Sequence, residues 1–140
     1  MQTLHDESNI TISYDDRNDR LYVNWVGDQD LDSVQSGCFL ILRFLKEKKV
    51  QVVLNDNRGV TNRWAEAAEW VGRSWIPEMV NEGLRYFAWV LPANFDSRVS
   101  TELTIYYTNY PVIATFDSLN EARCWLSQIT MANQERYNIT

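Results

Sequence analysis

A chain of 140 residues, 45% hydrophobic and with six tryptophans, holds enough apolar material for one buried core and too much for global disorder. Its formal charge of −6 repels phosphate backbones, so nucleic acid is not an expected partner. No apolar run approaches the roughly 20 residues of a membrane-spanning helix, and the start MQTLHDESN lacks the basic and apolar regions of a secretion signal, so a cytoplasmic location without membrane insertion is expected.

Residues 1–8 are polar and read as a flexible tail, and a single domain is expected over 9–130. Residues 9–14 (NITISY) and 21–26 (LYVNWV) alternate apolar and polar side chains around a polar DDRNDR, which predicts an antiparallel hairpin. From Asp30 the period lengthens. Leu31, Val34, Cys38, Leu42 and Leu45 follow a 3.6-residue stripe that Ile41 and Phe44 widen. Asp28 or Asp30 is the expected N-cap, and Arg43, Lys46, Lys48 and Lys49 complement the dipole at the other end. Gly37 costs this helix about 1 kcal/mol relative to alanine, which close packing against the sheet would explain.

Residues 50–54 (VQVVL) are apolar enough for a central strand, and NDNRG after them reads as a polar elbow. The next helix, 62–74, places Trp64, Ala68, Val71 and Trp75 on one face. Pro77 is expected to bend or restart it and Gly83 to end it. A fourth strand at 86–91 precedes a short helix at 97–107 with Val99, Leu103 and Tyr106 inward. A fifth strand at 112–116 leads to a Ser118-x-x-Glu121 capping box and a helix with Ala122, Trp125, Leu126 and Ile129 on its apolar face. Residues 131–140 read as a frayed tail. The order ββαβαβαβα predicts an α/β fold with four helices. Its five-stranded mixed sheet starts with a hairpin and continues in parallel βαβ units.

Open α/β sheets place their working groups outside the carboxyl ends of their strands, which directs attention to residues 55–61. They offer Asn55, Asp56, Asn57, Arg58 and Thr61, without His, Cys or a nucleophile–base pair. Asp56 is the best-placed carboxylate, but acid–base chemistry needs a second positioned group, so turn-making and pairing with Arg58 is the favoured role. His5 is the only imidazole, and Cys38 and Cys124 are expected as separate, reduced, buried thiols. Neither a zinc site nor a Cys–His pair is therefore expected. Asp15, Asp16 and Asp19 crowd the hairpin tip without the glycine and distal glutamate of a calcium loop. No cofactor is expected. Trp70 lies about 120° from the Trp64/Trp75 face of a regular helix, and Tyr107 and Tyr110 flank Asn109. Exposed aromatics of this kind favour a partner surface, homodimerisation included.

The element order resembles the STAS domain of bacterial anti-sigma-factor antagonists, in particular its sporulation stage II AA-like branch, which is also similar to the CRAL-TRIO lipid-carrier fold. Three patterns carry the resemblance over roughly residues 9–129. They are the D-x-x-G at Asp56 and Gly59, the W-x-P of Trp75 and Pro77 running to Gly83 before an aromatic strand, and the closing F-D-S-x-x-E-A-x-x-W-L from Phe116. The resemblance implies a non-enzymatic regulatory or protein-interaction domain. It would present Asp56, Asn57, Arg58 and Thr61, with Trp70 beside them, to a protein partner or a second copy. The alternative it implies is a carrier of a small apolar or lipid-like ligand. In the antagonists the elbow reads D-S-S-G, and its first serine accepts phosphate at a helix N-terminus. Here Asn57 and Arg58 stand where the serines would be, and asparagine has no phosphorylatable oxygen. Thr61, near Arg58 and Arg63, is the remaining phosphoacceptor candidate, an N-cap hydroxyl being its plainer role.

Overall fold

In the computed structural model, which describes residues 1–108 and 113–138 with side chains through residue 132, one mixed sheet has six strands rather than five. The additional strand is β1 (Gln2–Asp6), placed where a flexible tail was expected. It pairs antiparallel with β2 (Ile10–Asp15), Gln2 opposite Tyr14 and Asp6 opposite Thr11. An edge strand with mostly exposed side chains needs no hydrophobic alternation, because backbone hydrogen bonds alone can hold it. The expected hairpin joins β2 to β3 (Arg20–Gly27). Its tip is tied by the Asp15 carboxylate, which accepts the Arg17 and Asn18 backbone N–H groups.

From β3 onward the pairing is parallel, through β4 (Val52–Val60), β5 (Tyr86–Val90) and β6 (Ile113–Phe116), and the strands lie side by side in chain order. The interior position of β4 matches the sequence reading. Its length does not: the expected elbow at 55–59 is strand. Val112, expected to open the last strand, lies outside the described residues, as do Asn109 and Tyr110.

Helix α1 (Leu31–Lys48) opens with Asp30 as N-cap, whose side chain accepts the Ser33 N–H while the Ser33 hydroxyl accepts the Asp30 N–H. Gly37 faces β3 as expected, since a Cβ there would lie 2.3 Å from the Trp25 ring. The second helical run is continuous. Helix α2 (Ala65–Trp70) passes through a π-helical turn (Val71–Trp75) into α3 (Ile76–Asn81), where a bend or restart was expected. Pro77 lacks an N–H and its ring would crowd the Arg73 carbonyl in a regular helix. The widened turn, in which Ile76 N–H reaches back to the Val71 carbonyl, accommodates it.

Helix α4 (Phe95–Tyr106) turns over the inward face expected of it. Ser97, Ser100, Thr101 and Thr104 are fully buried, Val99 and Leu103 only half so, and Tyr106 is 80% exposed. Packing distance is the reason. A Cβ on Gly72 would sit 2.5 Å from the Thr104 carbonyl oxygen, so the helices approach too closely for branched apolar side chains between them. Two of the four hydroxyls bond locally: Thr104 donates to the Ser100 carbonyl, and Ser100 Oγ accepts the Trp64 N–H, whereas those of Ser97 and Thr101 have no partner among the described residues. Helix α5 (Leu119–Asn138) starts at the expected Ser118 cap and continues through most of the expected tail.

The larger core lies between one sheet face and helices α1 to α3, and a smaller one of Leu54, Ala88, Val90, Ala122 and Leu126 lies under α5. Among the described residues no helix is long and apolar enough to cross a membrane. Both cysteines are free. Cys38 is buried, its thiol pushed well up by desolvation, whereas Cys124 is exposed rather than buried as expected.

Candidate functional site

Because β4 continues as strand, consecutive residues of the expected elbow project to opposite sides of the sheet. Asn55, Asp56 and Asn57 are 3%, 1% and 4% exposed, so none is presented to a partner as expected. Amides at this position survive burial because neighbours satisfy them. The Trp25 indole N–H donates to Asn55 Oδ1 (2.9 Å), and Asn55 Nδ2 donates to Asn57 Oδ1 (3.2 Å). Gly59 completes the segment where the β3–β4 register shifts, its Cα so close to β3 that a Cβ would lie 2.8 Å from the Trp25 carbonyl oxygen.

On the other face Asp56 sits in a closed polar cluster. The Arg58 backbone N–H (3.0 Å) and Nε (3.0 Å) donate to its Oδ1, while Arg58 Nη2 (2.8 Å) and the Tyr22 hydroxyl (2.6 Å) donate to Oδ2. Burial pushes the Asp56 carboxyl upward, but the hydrogen bonds from Arg58 and Tyr22 outweigh it and leave the pKa below its ordinary value. The Tyr22 phenol is pushed up to about 12 by burial and by its bond to the Asp56 carboxylate. A group with a raised folded pKa contributes stability that is complete below its unfolded value, here about 10, and is lost as pH rises towards 12. Tyr22→Phe is therefore expected to flatten this part of the alkaline limb in urea unfolding between pH 9 and 11.5. It also removes one hydrogen bond, about 1 kcal/mol at neutral pH.

The remaining expected residues separate further. Arg58 keeps half of its side chain in solvent. Thr61 is exposed, and its hydroxyl donates to Asp28 Oδ1 rather than capping a helix. Helix α2 begins four residues later with Trp64 as N-cap, so a phosphate on Thr61 would face the Asp28 carboxylate without a helix end to receive it. Trp70 lies on the helical layer, edge-to-face with Phe39 of α1 (centroids 5.5 Å apart, 77°). Phe39 itself is 54% exposed. Farther along that layer the Arg73 guanidinium sits 4.9 Å from the Tyr107 ring centroid. Trp70 thus shares a surface with Phe39, not with Asp56.

The structure also builds a pocket that the sequence reading missed. Partly open, with a cavity of about 30 Å3, it is lined by Trp25, Trp64, Trp75 and Trp89 together with Asn55, Asn57, Gln29, Val34, Cys38, Val60 and Val71. Trp64 and Trp89 lie nearly parallel (6.1 Å, 20°), and Phe87 meets Trp89 edge-on. Gln29 and Asn62 exchange backbone–side-chain hydrogen bonds of 2.7 and 2.8 Å, fixing the two loops at its rim. The available sequence signal was the period-two pair Asn55 and Asn57, polar residues on a strand face otherwise built of Val53, Val23 and Trp25. Among the described residues no group of three or more His, Cys, Asp or Glu is placed to hold a metal ion.

A mixed sheet that starts antiparallel and ends parallel, with α1 to α3 on one face and α5 on the other, defines a SpoIIAA-like α/β domain, in agreement with the sequence resemblance. In particular, the chain is similar to the crystal structure of an uncharacterized protein of the DUF3478 family with a SpoIIAA-like fold from Shewanella loihica PV-4. The TM-score is 0.55 at 16% identity, covering 87% of this chain and 97% of that one. No protein-family model matches the chain, and no curated protein matches it.

Proposed function

We propose that this is a non-enzymatic regulatory or protein-interaction domain that works by contact and pairs with a second copy through its helical layer. The observation carrying this reading is the exposed Phe39 set edge-to-face on the half-buried Trp70, a pair that joins α1 to α2. Aromatic side chains of this kind are enriched where proteins associate. The surrounding charges are of both signs, with Arg43 paired to Glu47 at 3.0 Å and Arg73 to Glu69 at 3.5 Å. A mixed patch of that kind is self-complementary, as a two-fold interface requires. The non-enzymatic part is supported by Asp56, whose carboxylate is held ionised and fully hydrogen-bonded inside the fold. A cytoplasmic location fits the free, exposed Cys124.

Phe39→Ser is expected to weaken self-association about tenfold or more in sedimentation velocity, with the fold unchanged by circular dichroism. A wild-type protein that stays monomeric at 100-fold higher concentration than the assay midpoint of a typical micromolar dimer would remove the homodimer from this reading. The alternative of a small apolar or lipid-like cargo draws on the tryptophan pocket. Its cavity of about 30 Å3 is far below the roughly 300–1,000 Å3 of typical ligand sites, so it does not enclose a lipid in this conformation.

A further inference from the structure

We propose that the solvent-facing side of α4 pairs antiparallel with the same side of a second copy, a contact separate from the Phe39–Trp70 pair. The polarity of α4 is inside out. Its inward residues Ser97, Ser100, Thr101 and Thr104 are fully buried, while Phe95 and Tyr106 are 74% and 80% exposed. A helix at the surface of a globular protein ordinarily shows the reverse. Phe95 and Tyr106 stand about three turns apart and so lie on one line along the helix, with the half-buried Val99 between them. Neither ring belongs to the chain's own core clusters. Nor can the rings be rolled inward, because α4 lies so near the π-helical turn that a Cβ on Gly72 would sit 2.5 Å from the Thr104 carbonyl oxygen.

The order of residues along this stripe fits a second copy of the chain. Phe95 and Tyr106 are equally far from the midpoint between Ser100 and Thr101. A two-fold axis through that midpoint sets each Phe95 across from the other copy's Tyr106. The charges agree with the same register. Arg98 and Glu102 share one flank of the stripe, and the axis brings each Arg98 within one residue's rise of the second copy's Glu102. A parallel copy would set like charge on like. The contact groups are also held in place beforehand, which lowers the entropy lost on pairing. Tyr106 meets Tyr107 edge-on (5.4 Å, 80°), and the Arg73 guanidinium lies over the Tyr107 ring. Arg98 donates to Asp117 at 3.0 Å, which leaves other guanidinium N–H groups for a second carboxylate. A helix of 12 residues is about 18 Å long, so the contact is small and weak. It joins dimers into tetramers at concentrations above those at which the dimer forms.

The test is sedimentation velocity up to about 1 mM protein, the range of weak specific contacts. Wild type, Tyr106→Ser, Glu102→Lys and Arg98→Glu/Glu102→Lys are compared, each also combined with Phe39→Ser. Wild type is expected to pass from dimer to tetramer, and Phe39→Ser alone to form a dimer over the concentrations of that second step. Tyr106→Ser is expected to weaken the step about tenfold. Glu102→Lys sets like charges across the axis and weakens it too, while Arg98→Glu/Glu102→Lys, which exchanges the two signs, restores it. Tyr106 and Glu102 are exposed and Arg98 partly so, and circular dichroism checks that the fold is kept. Absence of the second step up to 1 mM, a Tyr106→Ser protein that associates like wild type, or a double variant that stays as weak as Glu102→Lys would each overturn the proposal. A first step unchanged by Phe39→Ser would remove the Phe39–Trp70 dimer and leave the α4 contact standing.

Discussion

Asp56→Ala is expected to cost about 3 kcal/mol of folding stability, measured by urea unfolding at pH 7. The carboxylate is 1% exposed and accepts from the Arg58 backbone, the Arg58 guanidinium and the Tyr22 hydroxyl. Removing it strands a half-buried phenol and part of a guanidinium that cannot shed its charge. Arg58 keeps half its side chain in water, so solvent screening holds the loss near the lower end of the range for broken buried pairs. Asp56→Asn retains an acceptor for Tyr22 and is expected to cost less. The sign with pH follows from the lowered carboxyl pKa. The stabilisation is complete above the unfolded value near 4 and is lost as pH falls through the folded value, so wild type and Asp56→Ala should converge in stability below pH 4. A constant gap down to pH 2 would mean that the carboxylate charge contributes nothing.

Gly72→Ala is expected to lose about 2 kcal/mol net, although alanine is the better helix former by about 1 kcal/mol. The new Cβ would lie 2.5 Å from the Thr104 carbonyl oxygen and 2.9 Å from Tyr107 Cβ. The first of these is backbone, so no rotamer change relieves it and α4 must move away from the π-helical turn. Hydrogen exchange should report the displacement as faster amide exchange in α4 than in α1. Gly37→Ala makes a useful contrast. Its clash is with the Trp25 ring and an Ile10 methyl, both side chains, so a smaller residue at 25 should rescue it. No side-chain truncation on α4 can rescue Gly72→Ala. A stabilised Gly72→Ala protein would contradict the close approach of the π-helical turn to α4.

What the chain discloses on reading depends on how local the deciding interactions are. Helix α1 was legible because its stripe and caps all lie within its own residues, and Gly37 announced close packing with β3. Strand β1 was not, since an edge strand with solvent on its side chains leaves no periodic trace. The run NDNRG carries turn residues, and short-range propensity argues for an elbow. What makes it strand lies about 30 residues away: the Trp25 N–H for Asn55, the Tyr22 hydroxyl for Asp56, and the Trp25 carbonyl that leaves no room beside Gly59. The same applies to α4, where helix separation, not side-chain polarity, decides which face turns inward. Of the expected surface, Arg58, Thr61 and Trp70 are within reach of a partner, and they do not lie together. Beyond the Asn55–Asn57 pair the pocket left no local trace, because its four tryptophans come from β3, β5, the π-helical turn and the loop before α2.

The account turns on contact residing on the helical layer while the former elbow serves the interior. Sedimentation equilibrium of wild type, Trp70→Ser and Arg58→Glu, side by side, tests it most directly. A dimer weakened about tenfold by Trp70→Ser and left intact by Arg58→Glu is the expected result. Loss of association in Arg58→Glu with Trp70→Ser unaffected would return the interface to the end of β4 and contradict it.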